Sequence, residues 1–87
     1  IEAIVTGKVQ MVMYRDFVQA HAIALGVTGF VENTEKGTVR VVAQGTPDAL
    51  KGLIDRLHKG SVLSQVANVA VTWCSPDRQF SDFNVRY

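Results

Sequence analysis

The chain has 87 residues, nine basic and eight acidic side chains, and a net charge of +1 with its histidines neutral. A domain usually takes about 100 to 200 residues, so this length predicts a single domain over 1–87 with a small core. A hydrophobic content of 47% with 20% charged residues excludes a disordered chain; the even charge balance argues against a dedicated nucleic-acid or membrane-surface binder, and no apolar run approaches the roughly 20 residues of a membrane helix.

Residues 2–10 alternate, with Ala3, Val5, Gly7 and Val9 on one side and Glu2, Ile4, Thr6, Lys8 and Gln10 on the other, which predicts a half-buried strand. Residues 15–25 predict a helix: Tyr14, Val18, Ala22 and Leu25 recur every three or four positions, Asp16, Gln19 and Ile23 point elsewhere, and Gly26 stands where a left-handed C-cap is wanted. Two strands follow, over 27–33 and 38–45, joined by Thr34-Glu35-Lys36-Gly37, a polar loop ending in glycine that suits a hairpin. Thr46-Pro47-Asp48 is a strong helix start: a hydroxyl N-cap, proline at the first position and a carboxylate in the first turn. Leu50, Leu53, Ile54 and Leu57 supply the apolar stripe of that helix, and Gly60 follows it. Residues 65–73 alternate again, with Ala67, Val69, Val71 and Trp73 on one face, and Phe83, Val85 and Tyr87 make a short last strand after a Ser75-Pro76-Asp77 turn. Strand, helix, strand, strand, helix, strand and a short fifth strand predict an α+β, ferredoxin-like sandwich. Its sheet is mainly antiparallel and carries two helices on one face. That fold serves many functions, so function has to come from a site.

The informative stretch is the loop entering the first helix, Gly7-Lys8-Val9-Gln10-Met11-Val12-Met13-Tyr14-Arg15. N–H groups at a helix start lack internal partners and, with the positive end of the helix dipole, form an anion site. Arg15 stands at that start, and its planar fork of donors suits phosphate oxygens. Asn33 ends a strand directly before a turn, where an amide commonly caps the turn.

Together these segments closely resemble the acylphosphatase family. That family's pattern runs as a strand with G-x-V-Q-G-V-x-[FY]-R, a helix, then G-x-x-G-[WFY]-V-x-N-x-x-x-G-x-V. The chain supplies Gly7, Val9, Gln10, Val12, Tyr14 and Arg15 for the first part, and Gly26, Gly29, Phe30, Val31, Asn33, Gly37 and Val39 for the second. The resemblance implies a hydrolase that splits acyl phosphates into carboxylate and inorganic phosphate, with no cofactor and no metal. It implies that Arg15 holds the phosphate with the amides of residues 10–15 (Gln10, Met11, Val12, Met13, Tyr14 and Arg15 itself), and that Asn33 positions the attacking water. Thr34 and Thr38 resemble threonines that brace this asparagine in some members; as plain sequence they also suit turn capping. The expected partners are a small acyl phosphate and its phosphate product, without nucleic acid, membrane or further subunits.

One departure bears on activity. Met11 stands where the family has glycine. If residue 11 needs positive φ, a side chain there costs roughly 1–2 kcal/mol, and the alternative reading is a weakly active or non-catalytic phosphate-binding domain of the same fold. Met11, Met13 and Tyr14 form an apolar patch beside the loop, suited to the organic half of a substrate or to packing under the loop. Lys8 and Lys36 are read as solvated, His21 and His58 lack ligand-spaced partners, and Trp73, Phe80, Phe83 and Tyr87 are read as core or edge packing. A single cysteine, Cys74, allows neither an internal disulfide nor a thiolate zinc cluster and suits the reducing cytoplasm.

Overall fold

The computed structural model describes residues 1–10, 13–60, 64–74 and 79–86. Its elements are β1 (Glu2–Lys8), α1 (Tyr14–Ala24), β2 (Thr28–Asn33), β3 (Val39–Gln44), α2 (Pro47–Lys59), β4 (Gln65–Thr72) and β5 (Phe83–Arg86). The strands form one sheet in the order β4-β1-β3-β2-β5. Every pairing is antiparallel except β2 with β5, which run parallel. Both helices cover one face, α1 over β2 and β5 and α2 over β4, and they pack against each other. This is the ferredoxin-like α+β arrangement expected from the element order.

Strand alternation builds the core. Ala3 and Val5 of β1, Val31 of β2, and Val39, Val41 and Ala43 of β3 are fully buried beneath Val18 and Ala22 of α1 and Leu53 and Leu57 of α2. The start of α2 follows its sequence: Thr46 has extended φ/ψ, its Oγ1 accepts from the Ala49 N–H at 3.2 Å, Pro47 opens the helix and Gly60 ends it. Helix α1 begins one residue earlier than the periodicity suggests, because the Phe17 N–H already bonds the Met13 carbonyl at 3.1 Å.

Three side-chain placements differ from the sequence reading. A bulge shifts the β1–β4 register, so Thr6 pairs with Asn68 but Gly7 pairs with Val66. Ala67 falls between them and is exposed, while Val66 packs on the core in its place. Gly7 is required there, since a Cβ at its φ of 125° would lie 2.1 Å from the Gln65 carbonyl oxygen. Trp73 lies past the end of this edge strand, beyond helix cover, and is 53% exposed. Phe80 packs on the sheet face opposite the helices, its ring 5.6 Å from that of Phe30. Arg86 lies over the same Phe30 ring, and Arg40 on this face bonds Glu2 at 2.6 Å. Phe83 is buried as expected; Tyr87 and the Ser75-Pro76-Asp77 turn lie outside the described residues.

Candidate active site

The loop between β1 and α1 is anchored by Val9, which is fully buried. Met11 and Val12 lie outside the described residues. Met13 is left-handed, with φ 58° and ψ 24°, and serves as the α1 N-cap without any side-chain capping bond. A left-handed residue followed by a helical one turns successive N–H groups into one concavity, the backbone nest that binds anions. Among the described non-glycine residues Met13 alone has positive φ, and such backbone strain concentrates at functional sites. Positive φ thus occurs in this loop at Met13; Met11, where the departure from glycine raised the question, lies outside the described residues. The N–H groups of Tyr14, Arg15 and Asp16 precede the first intrahelical bond and lie at the positive end of the helix dipole.

Tyr14 is buried in the core, and its hydroxyl donates to the Leu57 carbonyl at 2.8 Å, tying α1 to the end of α2. Burial pushes its phenol well above the ordinary value, so it stays neutral. Of the apolar trio Met11, Met13 and Tyr14, Tyr14 packs into the core, Met13 is 74% exposed, and Met11 lies outside the described residues.

Arg15, half-buried, donates from Nη1 to the Arg86 carbonyl at 2.8 Å. Arg86 on β5 stands in register with Glu32 on β2, one residue before Asn33. Asn33 ends β2 opposite Val39 and shares the helix-covered side with Val31, two residues earlier. Arg15, from the helix layer, and Asn33, from the sheet, thus lie toward the same end of the β2–β5 pair. The Asn33 Oδ1 is buried and accepts no hydrogen bond among the described residues.

Asn33 does not close the turn with that oxygen. The Thr34 N–H bonds the Thr38 carbonyl at 2.9 Å, the two threonine hydroxyls share a 2.6 Å bond, and the Lys36 N–H bonds the Thr34 hydroxyl at 3.3 Å. Thr34 and Thr38 therefore brace the hairpin that follows Asn33, not its carbonyl oxygen. From the sequence, Gln10 is expected to contribute only its main-chain amide. Its side chain donates twice across to this hairpin, to the Thr34 carbonyl at 3.1 Å and the Thr38 carbonyl at 2.8 Å. A lone glutamine carries no local signal of such a reach.

Lys8, Lys36, His58 and Cys74 are exposed, and His21 packs edge-on against the Phe17 ring at 4.5 Å. Among the described residues, no three His, Cys, Asp or Glu side chains gather as a metal site, and no helix is long and apolar enough to cross a membrane.

A family model described as Acylphosphatase matches residues 1–85. A protein named acylphosphatase from Dehalococcoides mccartyi is 40% identical over 88 residues, covering 100% of this chain and 97% of that one. Another from Salinibacter ruber is 41% identical over 86 residues, covering 99% and 90%. The crystal structure of acylphosphatase from Bacillus subtilis superposes with a TM-score of 0.95 at 32% identity, over 99% of this chain and 96% of that one.

Proposed function

This chain belongs to the acylphosphatase family, and from that premise we propose that it splits acyl phosphates into a carboxylate and inorganic phosphate through Arg15, the residue 10–15 amides and Asn33. Residues 1–87 act as one domain and as a monomer, since every named part comes from one chain. The exposed Cys74 thiol suits the cytoplasm.

The nest before α1 and the Arg15 guanidinium hold the phosphoryl oxygens. Phosphoryl transfer asks mainly for positioning and charge stabilisation, which fixed N–H donors supply without reorganising. The Asn33 Oδ1 accepts a hydrogen bond from the attacking water and aims its oxygen at phosphorus. As the new P–O bond forms, the bond to the carboxyl oxygen breaks and its electron pair leaves on the carboxylate. The conjugate acid of that leaving group has a pKa of about 4, so it departs without a proton donor. The proton released by the water passes to a phosphate oxygen, giving dihydrogen phosphate and balancing the step.

The observation that carries this reading is the buried Asn33 Oδ1, which has no hydrogen-bond partner among the described residues, at the end of the strand that α1 covers. An unsatisfied buried acceptor costs about 1–3 kcal/mol, which a bound water recovers. The weakly active or non-catalytic alternative raised by Met11 is not favoured, because full-length relatives carry the name acylphosphatase. Benzoyl phosphate hydrolysis tests both. The unaltered chain should turn over, Arg15→Ala should be inactive and Asn33→Ala slow. Turnover appearing only in Met11→Gly would revive the alternative.

A further inference from the structure

We infer that Gln10 is a positioning residue, whose side-chain amide sets the place of Asn33 relative to the phosphate-binding loop. This rests on the roles given above to that loop and to Asn33.

Gln10 Nε2 faces two main-chain carbonyls, those of Thr34 and Thr38. Both are acceptors only, so the nitrogen must face them, and it spends both hydrogens there. The Thr38 carbonyl also accepts the Thr34 N–H, so Gln10 binds the hairpin at its closing bond. Thr34 directly follows Asn33, and Thr38 directly precedes Val39, the register partner of Asn33.

The hairpin does not need Gln10 to keep its own shape. Its closing N–H bond, the bond between the two threonine hydroxyls and the Gly37 N–H bond to Thr34 are internal to it. What the glutamine adds is a tie between two separate segments: one presents the amides that hold the phosphate, the other presents the oxygen that aims the water. In-line attack depends on the distance and angle between those two, and a misplacement of about 1 Å can cost on the order of 10²-fold in rate. A side chain that touches neither reactant can therefore act on the chemical step through Asn33.

A double-mutant cycle on the full chain with benzoyl phosphate tests this. Gln10→Met keeps the length of the side chain and removes both donors. We expect its kcat to fall roughly 10- to 100-fold, while the KM and the inhibition by inorganic phosphate stay within about twofold. Combined with Asn33→Ala, it should slow the reaction no further than Asn33→Ala alone. Gln10→Asn, which keeps the amide but draws it back by one methylene, carries the same test if Gln10→Met does not fold. Losses that multiply in the double variant, or a weakened affinity for inorganic phosphate, would overturn the inference, because Gln10 would then act apart from Asn33. A slow Asn33→Ala beside a fully active Gln10→Met would also overturn it, and would leave the site reading intact. A fully active Asn33→Ala would remove the site reading itself, and the inference with it.

Discussion

Helix α2 caps its own N terminus with a side chain, and α1 does not. At α2 the Thr46 hydroxyl accepts a first-turn N–H, Pro47 has no N–H to satisfy and Asp48 offsets the dipole. At α1 the cap position holds Met13, whose side chain accepts nothing and whose backbone is left-handed, and Arg15 stands beside Asp16 in the first turn. One start is built from residues that satisfy the helix. The other has a left-handed backbone in place of a side-chain cap and an arginine in its first turn. The two helices bury similar stripes on the same sheet, so the contrast belongs to the site and not to the fold.

Exchanging the roles shows how sharp this contrast is. Arg15→Ala should give the largest effect, a fall in benzoyl phosphate kcat/KM beyond the 10²–10³ typical of one fixed donor, because a charge is lost with it. Asn33→Ala should fall within about that 10²–10³ range, mostly in kcat, with inhibition by inorganic phosphate retained. Thr46→Ala should do the opposite: a loss of about 1 kcal/mol in stability, seen as a Tm lower by several degrees, with kcat/KM unchanged. A kinetic defect in Thr46→Ala would break the separation between the two helix starts.

The junction of the two helices titrates. Tyr14 of α1 donates to Leu57 of α2, and burial raises its phenol pKa. The unfolded chain loses this proton near pH 10 while the folded chain keeps it, so the folded state binds more protons above that pH. The stability from Tyr14 is complete below about pH 10 and is lost as pH rises toward the higher folded value. Urea midpoints measured between pH 8 and 11 should fall more steeply for the unaltered chain than for Tyr14→Phe. Parallel curves would mean that the hydroxyl is not held neutral at that junction.

How much of this was legible depended on how local each feature is. The α2 cap was plain, because threonine, proline and aspartate act on the same turn. The core stripes were plain wherever alternation ran unbroken, as at Val39, Val41 and Ala43. The bulge at Gly7 was not, because it depends on how β1 meets a strand nearly sixty residues later, and it exchanged the places of Ala67 and Val66. Phe80 read as packing, but its partner Phe30 lies on the face away from the helices, a pairing between residues fifty positions apart. Arg15 and Asn33 stood out through the family resemblance; alone, Arg15 reads as a solvated surface residue and Asn33 as a turn cap. The Gln10 tie joins two loops and left no trace in either.

The smallest expected effect bears on the strain at the start of α1. A side chain in the left-handed region costs about 1–2 kcal/mol relative to glycine, and glycine costs about 0.4–1 kcal/mol by loosening the unfolded chain. At Met13 the first should exceed the second, so Met13→Gly should raise stability by a few tenths of a kcal/mol to about 1 kcal/mol. That corresponds to a Tm higher by a few degrees in a domain of this size. At Thr46, where φ is −67°, the same change to glycine relieves no strain and should lower the Tm. Opposite signs for one substitution at two helix caps would tie the left-handed turn to the anion-binding start. A Tm that falls at both positions would mean that the Met13 backbone carries no strain to release, and the two starts would then differ in their side chains alone.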